Sequence, residues 1–103
     1  MKITIKKTDK RMTGHDVWQY VAQPVQTLAG YKGVAQRMSD LHEMRDWCWQ
    51  TYGPSCELTH WMAMAANGLA PHNDHWCWHT DFDNFKIYLR TEKEANWFKL
   101  KWL

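Results

Sequence analysis

His72–Leu89 reads HNDHWCWHTDFDNFKIYL, and the fold depends on how this stretch is laid down. From His75 onward, His75, Cys77, His79, Asp81 and Asp83 share one parity, while Trp76, Trp78, Thr80 and Phe82 share the other. Successive strand side chains point to opposite faces, so one face is aromatic and the other carries imidazole, thiol and carboxylate. Pro71–Asp74 reads as a turn before this strand and Asp83-Asn84 as a bend after it. Phe85–Arg90 reads as a second strand. The rest of the chain must cover the aromatic face.

Working outward, Thr91-Glu92-Lys93-Glu94 has the spacing of a capping box. The threonine hydroxyl can accept from the third helical amide while Glu94 reaches back. Ala95, Trp97 and Phe98 supply the inner side of the short helix that follows, and Lys99–Leu103 reads as a closing strand. Upstream, Cys56–Ala65 reads as a strand, with Asn67-Gly68 as a turn behind it. Cys56, Leu58, His60, Met62 and Met64 have one parity there, and Glu57, Thr59, Trp61, Ala63 and Ala65 the other.

Val34–Tyr52 is the clearest helix. Val34, Met38, Leu41, Met44 or Arg45, Cys48 and Tyr52 recur at three- and four-residue steps, and Gly53-Pro54 stops it. Met1–Thr8 sets Ile3 and Ile5 against Lys2, Thr4 and Lys6, the alternation of a half-buried strand. Residues 16–22, DVWQYVA, suit a helix opened by Thr13 and Asp16 or a short strand, ended by Pro24 either way.

The resulting order is strand, long helix, strand, strand, short helix, strand. That is the βαββαβ pattern of a ferredoxin-like α+β sandwich, an antiparallel sheet with helices on one face. Residues 9–33 form an insertion after the first strand. The 103 residues suit a single domain, and 45% hydrophobic residues give it a core.

Eight tryptophans exceed what one small core hides, so some are expected on a contact surface. The net charge of +2 is too mild to predict nucleic-acid binding by itself. Three cysteines without CxxC spacing suit reduced thiols. No apolar run approaches the ~18 residues of a membrane span, and MKITIKKT lacks the apolar centre of a signal peptide. A soluble, cytoplasmic protein is expected.

A host cell enters through a likeness. WCWQTYGPSCE (47–57) and IYLRTEKEANWFKLKW (87–102) resemble segments of small tailed-bacteriophage proteins. The resemblance covers the C-terminal part of the chain, implies a phage origin and assigns no site residue.

Four functional readings follow. The leading one is a non-catalytic accessory protein that binds a host or phage protein, or a second copy of itself, without a cofactor. Its aromatic-rich surface would be Trp18, Tyr31, Trp47, Trp49 and Tyr52, residue types enriched at interface cores. The second is single-stranded nucleic acid on the open sheet face. Lys2, Lys6, Lys99 and Lys101 would share that face if the terminal strands pair, with His60 and His79 beside them.

The third reading is a transition-metal site, zinc by preference, drawn from His60, His75, Cys77 and His79. Same-face neighbours on one strand sit about 7 Å apart, so His60 and His79 with Cys77 make the better set. The weakest is catalysis, with Mg²⁺ held by carboxylates among Asp81, Asp83 and Glu57 and His79 as acid or base. The chain has no glycine-rich phosphate loop and no GxSxG.

Overall fold

The computed structural model describes residues 1–12, 14–69, 73–81 and 84–102. Along the chain run β1 (Ile3–Lys7), β2 (Tyr20–Pro24), α1 (Tyr31–Tyr52), α2 (Leu58–Ala66), β3 (Trp76–Asp81), β4 (Asn84–Leu89) and α3 (Glu92–Trp102). The strands form one antiparallel sheet in the order β1-β2-β4-β3. The fold is α+β as expected, but its element order is not βαββαβ.

The strand register sorts the side chains. Ile5, Ala22, Ile87 and Trp78 follow one another across one face, and Lys6, Val21, Tyr88 and Cys77 across the other. On the first face, Leu41, Met44 and Cys48 of α1 and Ala95 and Phe98 of α3 bury Ile3, Trp76, Phe85 and Leu89. On the second, Trp18 and the α2 residues Leu58 and Trp61 bury Val21, Cys77 and Tyr88. Helices therefore lie on both faces, not one.

Three readings of the sequence are corrected. The 9–33 insertion contains β2, the strand that joins β1 to β4. Pro24 fits in it because it stands opposite Ile3, and the adjoining bond is supplied by the Val25 amide to the Lys2 carbonyl at 2.8 Å.

The Cys56–Ala65 strand is instead the helix α2. Leu58, Trp61, Met62 and Ala65 also fit the helical i, i+3, i+4, i+7 pattern. Alanine, leucine and methionine favour a helix, and the Glu57 carboxylate caps it by accepting from the Thr59 amide at 2.8 Å.

The strand expected at 99–103 is the last turn of α3 as far as Trp102. Phe98 and Trp102 meet one turn apart with ring centroids 6.2 Å apart, and Lys99 and Lys101 suit the negative helix C-terminus. Half of the expected capping box forms: Glu94 reaches back to accept from the Thr91 amide at 3.0 Å, but the Thr91 hydroxyl donates to the Glu94 carboxylate instead of accepting from a helical amide. The Thr13 cap and the Asp83 bend lie outside the described residues.

Gly33 sits in the first turn of α1 against the preceding loop. A Cβ there would stand 2.3 Å from the Leu28 carbonyl oxygen and 2.5 Å from the Gln26 amide. Crowding of this kind costs about 1–3 kcal/mol, while alanine in place of glycine returns up to about 1 kcal/mol in a helix. Gly33→Ala is thus expected to destabilise by about 1 kcal/mol, read as a lower urea midpoint at unchanged slope. A raised midpoint would show that the 26–28 loop yields freely.

Candidate functional site

The α1 and α3 helices share one sheet face, and aromatic rings fill the space between them. Trp47 meets Phe98 edge-on at 5.5 Å, Tyr52 at 5.8 Å and Trp102 at 6.4 Å. Above this wedge the helices leave two hollows. One, of about 370 Å³, is lined by Thr51, Tyr52, His75, Lys93, Glu94 and Trp97. The other, of about 420 Å³, is lined by Trp47, Thr51, Trp97, Leu100 and Lys101. Thr51 and Trp97 belong to both, so the hollows adjoin in one cleft. Trp97 is 54% exposed and Leu100 78%.

Asn73 and Glu94 fix the polar end. The buried Asn73 amide donates to the Tyr52 carbonyl at 2.7 Å, and its side-chain oxygen accepts from the His75 amide at 2.7 Å. Its backbone carbonyl accepts from the Trp61 indole at 3.0 Å. One residue thus ties the end of α1 to the start of β3 and to α2. The His75 ring stacks on Tyr52 at 6.0 Å and its Nδ1 donates to Glu94 at 3.0 Å. The Tyr52 hydroxyl donates to the Glu94 carbonyl at 3.1 Å.

These contacts set the electrostatics. Burial works to raise the Glu94 pKa, but bonds from Thr91 and His75 outweigh it and hold the carboxyl below its ordinary value. Burial first, then the neighbouring Cys48 and Glu94, pushes the Tyr52 hydroxyl well up, so it stays a donor. The polar groups at this end satisfy one another, which leaves aromatic surface with Lys93 and Lys101 at its edges. Such a cleft suits recognition of an apolar segment.

No protein-family model matches the chain, and comparison with curated proteins and with solved structures returns no match.

Of the five aromatic residues expected on the contact surface, Trp47 and Tyr52 line the cleft. Tyr31 is 87% exposed at the start of α1. Trp49 is half exposed but, two residues from Trp47, lies on another side of α1. Trp18 is a correction: it is fully buried, edge-on to Trp61 at 5.0 Å. Trp97, expected on the inner side of α3, is exposed, and the inner positions are Ala95 and Phe98. Carrying helical spacing on to Trp102 would have placed Lys93, Trp97, Leu100 and Lys101 outward together.

The four metal-set residues are held in separate surroundings. His60 is exposed on α2, because that segment is a helix and cannot pair His60 with His79. His75 precedes β3 and turns to Glu94. Cys77 is buried in the second core, and burial pushes its thiol up. His79 Nδ1 bonds to the Glu57 carboxylate. Burial acts to raise the Glu57 pKa, but bonds from His79 and Thr59 bring it below its ordinary value. Among the described residues no three His, Cys, Asp or Glu side chains form a metal-binding group. Asp83 lies outside those residues, and Asp81 is exposed at the end of β3.

The nucleic-acid set is divided as well. Lys6 shares its face with Val21 and Tyr88, and Lys2 is exposed just before β1. Lys99 and Lys101 are on α3, which covers the opposite face. Thr4, Lys6, Gln23, Lys86, His79, Asp81 and Asn84 lie on the open part of the Lys6 face. Its aromatic residue, Tyr88, is only 5% exposed, so stacking surface is lacking there among the described residues.

Proposed function

We propose that the chain is a non-catalytic binding protein that holds a protein partner along the α1–α3 cleft. The observation that carries this reading is the exposure of Trp97 and Leu100 above an aromatic floor. A ring of that size in a desolvated interface is the usual energetic anchor of a complex. The likeness of 87–102 to small phage proteins supports an accessory role in a host cell, with a host or phage protein as partner. A second copy of the chain is the same reading in homo-oligomeric form. Among the described residues no helix is long and apolar enough to cross a membrane.

Photo-crosslinking in bacterial cells tests it, with a benzophenone amino acid at position 100 and a control at position 10. Discrete adducts from position 100 that vanish with Trp97→Asp are expected, and an adduct of twice the chain mass would identify a second copy. Trp97→Asp should keep the wild-type circular dichroism spectrum, since the ring is half exposed, while weakening partner binding by about 2 kcal/mol or more, roughly 30-fold. Equal adduct patterns from positions 100 and 10 would refute the reading.

A further inference from the structure

We infer that the cleft receives an acidic amphipathic helix, with carboxylates over Lys93 and Lys101 and apolar side chains against Trp97 and Leu100. The inference rests on the protein-binding reading and names the chemistry of the partner.

Lys93, Trp97 and Lys101 stand at i, i+4 and i+8 of α3, and residues at that spacing line up along one side of a helix. At 1.5 Å per residue the two lysines are about 12 Å apart along α3. Two turns of a partner helix span the same length, with acidic residues at the ends and apolar residues between them.

The charge in the cleft is not balanced from within. Glu94, the acidic residue lining it, is 7% exposed and accepts from the Thr91 amide, the Thr91 hydroxyl and His75. Lys93 and Lys101 make no ion pair among the described residues. Lys101 lies over the Trp102 ring at 5.1 Å, a contact that keeps its charge at the rim. An apolar floor between two cations that have no ion-pair partner among the described residues is complementary to a segment carrying acid, apolar and acid groups in turn.

The walls decide between helix and strand. Both are helices, whose main-chain groups bond internally, so the cleft offers no open edge to which a strand could add. A helix laid between two helices needs only side-chain contact.

The test uses the full chain and three synthetic helical peptides, each about 14 residues long to cover the cleft with a turn to spare. They share the same apolar positions and differ only in the flanking pair, which is Glu, Gln or Lys. A poly-dT oligonucleotide is a fourth probe, and binding is read by fluorescence anisotropy. Rim ion pairs are worth at most about fivefold each, so the Glu peptide is expected to bind about 10-fold more tightly than the Gln peptide. The Lys peptide should bind most weakly.

The double variant Lys93→Glu/Lys101→Glu should invert that order, and Trp97→Asp should abolish binding of all three. Trp97-dependent binding with equal affinity for the Glu and Gln peptides would overturn the acidic helix and leave the protein-binding reading standing. Binding of none of the peptides above the level of Trp97→Asp would overturn both. Tighter, Trp97-dependent binding of poly-dT would overturn both in favour of nucleic acid.

Discussion

Trp18→Ala is expected to destabilise the chain by about 3–5 kcal/mol, the usual loss on truncating a large buried aromatic residue. Trp18 is fully buried and, among the described residues, is one of six buried members of the core on the α2 side of the sheet. Its ring packs on Trp61 at 5.0 Å with planes 70° apart, the edge-on geometry that adds to simple area burial. Its backbone is fixed as well: its amide donates to the Gly14 carbonyl at 2.8 Å, and its carbonyl accepts from the Thr8 hydroxyl at 2.6 Å. Met12 and Met62, partly buried against the cluster, can take up part of the space, so the loss should fall within that range and not above it. Urea denaturation followed by circular dichroism reads it as a lower midpoint. An unchanged midpoint would place Trp18 on the surface, as a partner-binding role requires.

That error and the others have one physical origin. β3 and β4 were legible because parity puts Trp76, Trp78, Phe85, Ile87 and Leu89 on one face, although Cys77 and Tyr88 on the other face are buried as well. α1 was legible because Leu41, Met44 and Cys48 repeat at helical spacing and Gly53, with φ at +96°, ends it. Short segments fared worse. LTHWMAMAA fits both periods over nine residues, and a pattern that short cannot choose between them. Residues 16–22 admitted both a helix and a short strand, and pairing with β1 and β4 on either side selects the strand Tyr20–Pro24, a long-range fact that local propensity does not contain.

The site was legible to the same degree. Trp47 and Tyr52 were found because α1 was read correctly. Trp97 was turned inward because a helix ended before Lys99 needs it for a core, whereas one continuing to Trp102 does not. Asn73 gave no signal, since its role depends on Tyr52, His75 and Trp61 meeting around it. Cys77 and His79 keep strand parity, but the sequence could not show that His75, just before β3, turns to Tyr52 and Glu94, or that α2 buries Cys77.

Glu94→Gln should lower stability at pH 7 by about 1.5–3 kcal/mol, the range for hydrogen bonds to a charged group. The loss should shrink as the pH falls. Glu94 accepts from the Thr91 amide and hydroxyl and from His75, and these bonds outweigh burial to hold its pKa below the ordinary 4.5. The folded chain therefore takes up this proton less readily than the unfolded chain. The stabilisation is complete above the ordinary carboxylate range and is lost as the pH drops through the folded value. Glu57 is shifted in the same direction, so the wild type should weaken in acid through both groups. Glutamine at position 94 cannot titrate, and only the Glu57 part of that loss should remain in the variant. Urea midpoints at neutral pH and in steps below pH 4.5 should start apart and converge. A gap that stays constant with pH would mean that Glu94 acts by shape and not by charge, and that His75 at the end of the cleft is held by packing against Tyr52 alone.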